Sequence, residues 1–506
     1  MKPVNLSDSE SVFEWITTVH EKHFVELKKS SNLPKDFWPT YSAFSNTEGG
    51  FIILGVEECQ PLNKINGVSN VDHILVDLWN LISNPQKVSY RTINNPDVFT
   101  YAFDDGDVIV IRVHEAPDAV KPVFLNGKAE NSYIRTGEGD RKITEEELKA
   151  FLRNANPVQD TLPADNFGLD DIDTDSLLSF KELVHKRYPK QDFLKMTNQQ
   201  FLTEIGAAYE DRDSGEWKLK KGAVLFLGKT NSIRELFPHY HLDYFNRRGS
   251  NARWLDRVTD DEPGEYEMNI YNFYRIVYEK LRLLLQESFS LDSEQMRIPI
   301  TDFDETLREC LVNCLAHADY VQGYPSVKVE AYDGWFSFLN PGKLLVSPQQ
   351  FKTGGDSRPR NEIVMKFFRL LGASERQGFG GPLIFNSALQ NQYRCPEIES
   401  DIEHTSLRVW NIDLPDSYPS LSVTEKNTLR VIMKSGLPLS IKGICALSGE
   451  NDYQTRKAIT TLIQMSLVEK MGNGPSTKYY LARTSLEYLA QIQLAVEDWK
   501  KAIQKS

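Results

Sequence analysis

A segment with neither helical nor strand periodicity interrupts the chain at residues 154–174, NANPVQDTLPADNFGLDDIDT. It is rich in Pro, Asp and Asn, a composition typical of the loops that connect domains. A second break, LPDSYPS at residues 414–420, has two prolines in seven residues. Because one domain usually takes about 100 to 200 residues, a chain of 506 residues has room for three or four. The two breaks therefore predict an N-terminal block, a long middle block and a short C-terminal block.

The composition is that of a globular protein and excludes several functional classes. No run approaches the roughly 18 to 20 apolar residues of a membrane span, and the N-terminus lacks the apolar core of a signal peptide. The five cysteines are scattered without a CxxC pair, so no disulfide or zinc framework is expected. We therefore expect a cytoplasmic protein without a membrane partner. A formal charge of -13 argues against indiscriminate coating of nucleic acid, so any nucleic-acid site must be local.

The N-terminal block has the pattern of an α/β domain. Two short β-branched apolar runs, FIILGV at residues 51–56 and VIVIRV at 108–113, each follow a turn signal and predict buried strands. Helices are predicted at residues 36–44 and 144–153. The second begins with Thr144, and the Glu three residues on completes a capping-box pattern.

The middle block alternates predicted helices and strands. Helices are predicted at residues 198–209 and 266–286, strands between them at 222–227 and 240–245, and strands again at 326–331 and 335–339. The C-terminal block has the order of a winged helix, with helices at 424–435, 441–448 and 453–465 and strands at 467–471 and 478–481. Eight basic and four acidic residues between 421 and 482 give that block a charge of +4.

The first group of residues that could carry chemistry is in EKHFVELK, residues 21–28. If VELK is extended, Glu26 and Lys28 point to the same face, and Glu21 can reach that face from the preceding turn. With an acid from the strand that ends in VEE, these carboxylates could bind Mg²⁺ or Mn²⁺ for phosphodiester hydrolysis, and the lysine could offset charge on the phosphate. A solvated acidic surface is the alternative interpretation.

Four motifs, EKHFVELK, AFSNTEGGFIILGVEE, KPVF and YIRTGEGDRKIT, give residues 10–153 a resemblance to the Schlafen AlbA-type domain. In nuclease members of that family, the matching positions form the cutting site. The resemblance thus implies catalytic roles for Glu21, Glu26, Lys28 and Glu58, with the three glutamates as Mg²⁺ or Mn²⁺ ligands. The family usually has Asp where this chain has Glu58. Many bacterial relatives are described only as DNA-binding, so both binding and cleavage stay open.

The same block has a basic, glycine-containing segment, YIRTGEGDRK at residues 133–142. We interpret it as a loop, in which the glycines would let the backbone approach a phosphate. Together with the resemblance, this implies that Arg135, Arg141 and Lys142 contact nucleic-acid phosphates. An unpartnered surface turn is the alternative.

The second group lies in LRECLVNCLAHADY, residues 307–320, a predicted helix. Glu309, Asn313 and His317 follow at intervals of four residues and form a polar stripe beside leucines. Such a stripe could hold a divalent cation and nucleotide phosphates through Asn313, while Glu309 orients water. A half-exposed helix whose polar face meets solvent is equally compatible with the spacing.

Residues 303–414 resemble the ATP-binding domain of the GHKL type. The matching pieces are the helix with Glu309, Asn313, His317 and Tyr320, then Asn340-Pro341-Gly342, Arg360-Asn361, and Glu375 with Gly378 and Gly380. The resemblance implies that ATP is bound by Glu309, Asn313, His317, Asn340, Gly342, Gly378 and Gly380, with a metal ion at Asn313. GHKL ATPases usually carry an adenine-reading Asp where this chain has Asn340-Pro341-Gly342. We therefore expect ATP binding more than ATP hydrolysis.

In the predicted winged helix, residues 453–465 would be the recognition helix. Its side chains Gln454, Arg456, Lys457 and Thr460 would face a nucleic-acid groove, and Lys470, Asn473 and Lys478 of the wing would lie near the backbone. A protein-contact module is the alternative. Residues 484–501 have the pattern of an amphipathic helix that packs or dimerises.

Together these patterns predict a multidomain α/β and α+β protein. Its parts would be an AlbA-like nucleic-acid domain (1–153), a connecting α/β region (175–302), a GHKL-like α/β sandwich that binds nucleotide (303–414), and a winged helix with a C-terminal helix (421–506). We expect nucleotide-controlled binding of DNA or structured RNA by a transcriptional or defence regulator. The alternatives are a metal-dependent endonuclease acting on structured RNA such as tRNA, and a non-catalytic assembly scaffold. Homo-oligomerisation stays open.

Overall fold

The structure is a computed structural model that describes residues 5–492 with interruptions. The residues outside the description are 1–4, 22, 30–31, 138, 250–252, 263, 291–299, 323, 356–357, 375–377, 484, 489–491 and 493–506. The chain divides into two compact units, Met1–Pro157 and Val158–Ser506, which we call the N-terminal and C-terminal units. Both combine helices and sheets, which confirms the predicted mixed α/β class. Among the described residues, no helix has the length and apolar character needed to cross a membrane.

The N-terminal unit is built around a four-stranded sheet in the order β1-β2-β6-β5. Its elements are α1 (Ser9–Thr18), β1 (Val25–Lys28), α2 (Phe37–Asn46), β2 (Gly50–Leu54), β3 (Val56–Glu57), β4 (Lys64–Ile65), α3 (Val71–Ile82), β5 (Val98–Phe103), β6 (Gly106–Val113), β7 (Phe124–Leu125), β8 (Lys128–Thr136), β9 (Gly139–Lys142) and α4 (Glu145–Ala155). The two predicted apolar strands form the centre of this sheet. Gly55, at φ 94°, divides the first run into β2 and β3.

Strand β1 pairs in parallel with β2, so that Glu26 lies opposite Ile52 and Lys28 opposite Leu54. This pairing places β1 at the sheet edge, where its polar side chains can meet other elements of the unit. Helix α4 begins with the predicted capping box, in which Thr144 accepts a hydrogen bond from the Glu147 amide.

The prediction that residues 133–142 form a loop is wrong. These residues form most of the antiparallel hairpin β8–β9, in which Arg135 lies opposite Asp140 and Thr136 opposite Gly139. Gly137, at φ 63°, allows the tight turn that joins the two strands. Arg135 and Arg141 therefore lie on strands rather than in a loop.

The C-terminal unit contains a six-stranded sheet in the order β13-β12-β14-β15-β17-β16. Its elements up to that sheet's last strand are α5 (Thr174–Arg187), α6 (Asn198–Glu204), β10 (Ala208–Glu210), β11 (Trp217–Leu219), α7 (Lys221–Leu227), α8 (Thr230–Leu236), β12 (Leu242–Asn246), β13 (Asp256–Thr259), α9 (Ile270–Ser290), α10 (Ile300–His317), β14 (Val327–Tyr332), β15 (Trp335–Pro341), α11 (Pro348–Thr353), α12 (Glu362–Leu371), α13 (Gly380–Gln390), β16 (Glu397–Ser400) and β17 (His404–Trp410). The sheet thus takes strands from both sides of the predicted boundary at residues 302–303. One hydrophobic cluster, from Ala164 to Val409, covers both segments.

Two local predictions in this unit are wrong. Residues 222–227, predicted as a strand, form most of helix α7, and all six are buried. A helix that is buried all round has no polar face, so its sequence lacks the 3.6-residue period that identifies helices. The helix predicted at residues 198–209 ends at Glu204, because Gly206 turns the chain at φ 72° and β10 begins at Ala208.

The C-terminal block contains three helices and a hairpin in the predicted order. They are α14 (Val423–Ser435), α15 (Ile441–Ser448), α16 (Asp452–Gln464), β18 (Val468–Met471) and β19 (Lys478–Leu481), and the two strands pair antiparallel. Its designation as a winged helix stays a prediction. The helix predicted at residues 484–501 lies largely outside the described residues.

Candidate functional site

A cleft lies between α10, the strands β15 to β17 and helices α11 to α13. Its lining combines apolar side chains with a few polar groups, which is typical of a site for a small organic ligand. Six residues that the sequence assigned to nucleotide binding line it: Glu309, Asn313, His317, Asn340, Gly378 and Gly380. Gly342 is not among the lining residues. Its amide donates to the Glu403 carbonyl at 2.7 Å, and its carbonyl accepts from the Thr405 hydroxyl at 2.9 Å, so it joins β15 to β17.

One wall of the cleft is the contact between α10 and the start of α13. The Asn313 amide donates to Glu309 Oε1 at 3.0 Å, and Gly380 packs against this pair so closely that a Cβ would overlap the Glu309 carboxylate. A Cβ on Gly381 would likewise overlap the Phe351 carbonyl of α11. The glycines therefore let the N-terminus of α13 reach the cleft. A helix N-terminus carries a positive partial charge and suits phosphate.

A second close contact joins the backbones of Gly378, just before α13, and Gly355. The Gly355 amide lies 3.4 Å from the Gly378 carbonyl, and Gly378 has φ 80°. A Cβ on Gly378 would overlap the backbone of Gly355. Glu375, which the sequence grouped with these glycines, lies outside the described residues. The backbone of two loops thus meets at the cleft with no side chains between them.

Buried polar groups hold the end of α10 against the start of α12. The Asn361 amide side chain donates to the carbonyls of Ala316 and Ala318 at 3.1 and 2.8 Å. Arg360 is buried, and it donates to the carbonyls of His317 and Lys343. Arg360 and Asn361 therefore shape the cleft without lining it.

The charges around the cleft favour an anionic ligand. Burial raises the pKa of Glu309, although its hydrogen bond with Asn313 and the nearby Arg308 oppose the shift. Burial, with the charge of Arg360, lowers the pKa of His317 to about 4, so its imidazole is neutral at pH 7. Three lining residues are cationic, Lys343, Arg358 and Arg369, whereas Glu309 is the only acid among the described residues that line the cleft.

Part of the cleft lining is apolar and includes Phe338, Leu344, Leu345, Val346, Ile398 and Leu407. Asn340 is buried there and donates its side-chain amide to the Pro341 carbonyl at 3.2 Å. No carboxylate takes the place of the usual adenine-reading Asp among the described lining residues. Any base would meet an amide and apolar side chains.

In the N-terminal unit, both carboxylate oxygens of Glu26 are neutralised by cations. Lys28 Nζ lies 2.7 Å from Oε1, and Arg135 Nη1 lies 2.7 Å from Oε2. Glu26 is 8% exposed. Lys28 also pairs with Asp36 at 2.8 Å, and Arg135 with Asp140 at 2.9 Å. The strand period predicted that Glu26 and Lys28 share a face, but Arg135 as their partner was not predicted.

Glu21 and Glu58 are held beside this group by backbone amides. Glu21 Oε1 accepts from the Leu27 amide at 3.1 Å, and Glu58 Oε1 accepts from the Glu21 amide at 3.0 Å. Burial and the charges of Glu26 and Glu58 raise the pKa of Glu21, although the Leu27 amide and Lys28 oppose the shift. The oxygens of the three glutamates do not all lie within 4.8 Å of one another. As arranged, these described residues do not form a ligand set for Mg²⁺ or Mn²⁺.

The predicted nucleic-acid contacts differ in their accessibility. Arg135 is 4% exposed and paired inside the unit, so it cannot meet a phosphate in this structure. Arg141 and Lys142 are both exposed, but Arg141 makes two hydrogen bonds with the Glu147 carboxylate, at 2.8 and 2.6 Å. In the C-terminal block, Lys457 and Lys478 are exposed, and Arg456 pairs with Asp452 at 2.6 Å.

One histidine and two aspartates, His241, Asp260 and Asp261, are the only described group with metal-ligand spacing. The two ring nitrogens of His241 already bind Asp243 and Asp260 at 2.8 Å, and these carboxylates raise its pKa to about 10. Arg234 pairs with both Asp260 and Asp261. Organic cations thus neutralise this group, and it is an ion-pair network.

Comparison with known proteins supports both resemblances. Residues 21–144 match the family model "Schlafen, AlbA_2", and residues 325–409 match "Putative ATP-dependent DNA helicase recG C-terminal". Residues 149–243 match a domain of unknown function, DUF8451. No curated protein matches the chain. The AlbA-type and ATPase-like assignments are thereby confirmed for these segments.

Two solved structures are similar to this chain. One is a crystal structure of the DIP2311 protein from Corynebacterium diphtheriae, with 14% identity, a TM-score of 0.38, and coverage of 94% of this chain and 99% of that chain. The other is a solution structure of the N-terminal domain of a "Putative ATP-dependent DNA Helicase RecG-related Protein" from Nitrosomonas europaea. It has 20% identity and a TM-score of 0.21, and covers 27% of this chain and 92% of that chain.

The pairing of Glu26 predicts that this residue supports the fold. Glu26→Gln removes one of the two acidic partners of each of two largely buried cations, and losing a hydrogen bond to a charged group costs about 1.5 to 3 kcal/mol. We expect hydrogen exchange of the β1 and β2 amides in the full chain to accelerate at least about 10-fold. Mass spectrometry of peptides from this region would measure it. Glu145→Gln, which breaks an exposed pair with Lys149, should leave exchange unchanged. Equal protection in Glu26→Gln and the wild type would contradict the assignment.

The neutral His317 predicts a pH effect on stability. Folded His317 protonates only near pH 4, whereas the unfolded residue protonates near 6.5, so the unfolded state binds more protons between these values. Acidification from pH 7 to 5 should therefore cost the wild type up to about 2 kcal/mol more than His317→Gln. Asp160, whose pKa is raised to about 6 chiefly by burial, shifts stability in the opposite direction but is common to both proteins. Urea unfolding at the two pH values tests this, and equal losses would contradict it.

Proposed function

We propose that this chain, an AlbA-type domain protein with an ATPase-like part, binds nucleic acid under the control of a nucleotide held in the cleft. A transcriptional or defence regulator is the role this proposal favours. The observation that carries it is the packing of Gly380 against the Glu309–Asn313 pair in a cleft whose mouth is cationic. That arrangement supplies the parts that a nucleoside triphosphate needs at its phosphate end.

The lining residues fit a nucleotide and its metal ion. The first turn of α13, together with Lys343, Arg358 and Arg369, would bind the phosphates. Asn313 would hold the Mg²⁺ that accompanies them, and this ion would neutralise phosphate charge when bound. The apolar part of the lining would accept the base. We propose binding rather than hydrolysis, since the usual adenine-reading carboxylate is absent from the described lining residues.

The C-terminal block would make the specific nucleic-acid contacts. Its net charge is +4 in a chain of -13. Gln454, Lys457 and Thr460 are exposed on α16, and Lys478 is exposed on the hairpin that follows. A helix with such side chains beside a basic hairpin is compatible with groove and phosphate contacts.

The link between the cleft and the C-terminal block supports control by nucleotide. Helix α13 begins at Gly380 in the cleft and ends at Gln390. Just beyond it, Arg394 donates to the Ser417 hydroxyl at 3.0 Å, and the Cys395 amide donates to the buried Glu487 carboxylate at 3.2 Å. A shift of α13 on nucleotide binding would therefore reach the C-terminal block through direct contacts.

The test is nucleic-acid binding with and without ATP. We expect ATP with Mg²⁺ to change the affinity of the wild type for labelled duplex DNA or tRNA at least about fivefold, a typical lower bound for coupling between sites. Asn313→Ala should weaken ATP binding at least about tenfold and remove the effect, as it deletes the metal-binding amide. Fluorescence anisotropy and calorimetry measure the two affinities.

Asn231→Ala, an exposed site on α8, is the matched control and should behave as the wild type. ATP binding that is undetectable, or that Asn313→Ala does not change, would favour the scaffold interpretation. If the affinity for nucleic acid does not change with ATP, control by nucleotide is contradicted, but nucleic-acid binding is not.

A metal-dependent nuclease is the second candidate. Its support is the raised pKa of Glu21, caused first by burial and then by the neighbouring Glu26 and Glu58, because a bound cation would relieve this repulsion. Against it, Glu26 already pairs with Lys28 and Arg135. We therefore expect wild type and Glu21→Gln to show the same low cleavage of tRNA and duplex DNA in Mn²⁺, as measured on denaturing gels. Cleavage that Glu21→Gln abolishes would establish the nuclease instead.

A further inference from the structure

Three cations of the C-terminal unit, Lys220, Lys366 and Arg369, form a surface that we call the basic strip. Lys366 and Arg369 are exposed and three residues apart on α12, so their side chains are neighbours on the helix surface. The Lys366 ammonium lies against Gly206, where a Cβ would be 2.7 Å from Nζ. Lys220 is beside it, because its amide donates to the carbonyl of Ala207 at 2.9 Å.

Many cations of this unit have carboxylate partners, whereas the three cations of the basic strip have none among the described residues. Arg234, Arg257 and Arg430, for example, each pair with at least two acids. Within the described residues, by contrast, no carboxylate lies within 4.0 Å of a strip cation. Glu362, one turn before Lys366, is the acid on the same helix.

The strip cations repel one another. Burial, and then the charges of Lys220 and Arg369, lower the pKa of Lys366. Like charges held together at a surface are unfavourable until an anion neutralises them. In a chain with a net charge of -13, this unpaired group is a local site of positive potential.

The position of the strip indicates which anion it would meet. Arg369 also lines the mouth of the nucleotide cleft, as does the exposed Arg358. Lys220 and Lys366 are not among the lining residues, so they lie outside the cleft itself. An anion that contacts all three strip residues must therefore extend along the surface away from the mouth.

We propose that the basic strip binds the phosphate backbone of a nucleic acid that passes the mouth of the cleft. This inference rests on the proposed nucleic-acid binding and adds a contact surface to it. Lysine and arginine charges that meet phosphates raise affinity without reading bases, so the strip contributes equally to all sequences. Arg369 would then contact both the nucleotide and the nucleic acid.

The experiment compares the salt dependence of binding in full-length variants. Lys220→Gln with Lys366→Gln removes two strip charges, and Lys218→Gln with Lys280→Gln is the matched control, since those ammoniums pair with Asp211 and Asp256. Duplex DNA of two unrelated sequences is titrated between 50 and 200 mM salt. We expect the strip variant to lower the slope of log K against log salt by about 2 for both sequences. Its ATP affinity and circular dichroism should match the wild type.

The outcomes separate this inference from the function on which it rests. A wild type that binds DNA, with an unchanged slope in the strip variant, overturns the strip alone. An equal loss of slope in the control pair also overturns it, because the effect would then follow total charge. A wild type that binds neither DNA nor RNA overturns both the strip and the proposed function.

Discussion

The close packing of α13 on α10 is the constraint on which the proposed nucleotide cleft depends. Gly380 can meet the Glu309–Asn313 pair only because it has no side chain, and this contact brings the positive end of α13 to the cleft. The opposite wall is set in a similar way. Asp160 accepts hydrogen bonds from three consecutive amides at the start of α12, at 2.7 to 3.1 Å, and so fixes that helix. Both walls are thus held by helix N-termini, one left open to a ligand and one capped by the chain itself.

The same physics explains why the acidic group of the N-terminal unit differs from a metal site. A buried carboxylate requires a counter-charge, and either a metal ion or an organic cation can supply it. In this chain Lys28 and Arg135 supply it to Glu26, and backbone amides bind Glu21 and Glu58. The glutamates can be satisfied without a metal, so their spacing in the sequence is compatible with a structural role as well as a catalytic one.

Local pattern predicted most elements of the fold and part of each site. The strand period was enough to place Glu26 beside Lys28, and the helix period was enough to place Asn313 beside Glu309. It could not predict that Arg135 is buried, because that depends on a hairpin meeting a strand more than 100 residues away. Nor could it predict α7, since complete burial removes the polar face that marks a helix. Arg369 was not predicted as a cleft residue. In the sequence, one exposed arginine on an amphipathic helix cannot be distinguished from other surface arginines, and only the fold places it at the cleft.

The distribution of charge reconciles an acidic chain with a nucleic-acid partner. Many arginines of the C-terminal unit are engaged internally, for instance Arg257 with Asp243 and Arg430 with Asp413. These arginines add no positive field at a distance, because the charges of their acidic partners cancel theirs. What can attract a polyanion is the set of exposed cations that have no acid within reach, and α12 and the C-terminal block contain several of them. Since the acidic surface repels a bound strand, the strand would be restricted to such cationic places. The net negative charge then selects where nucleic acid can bind.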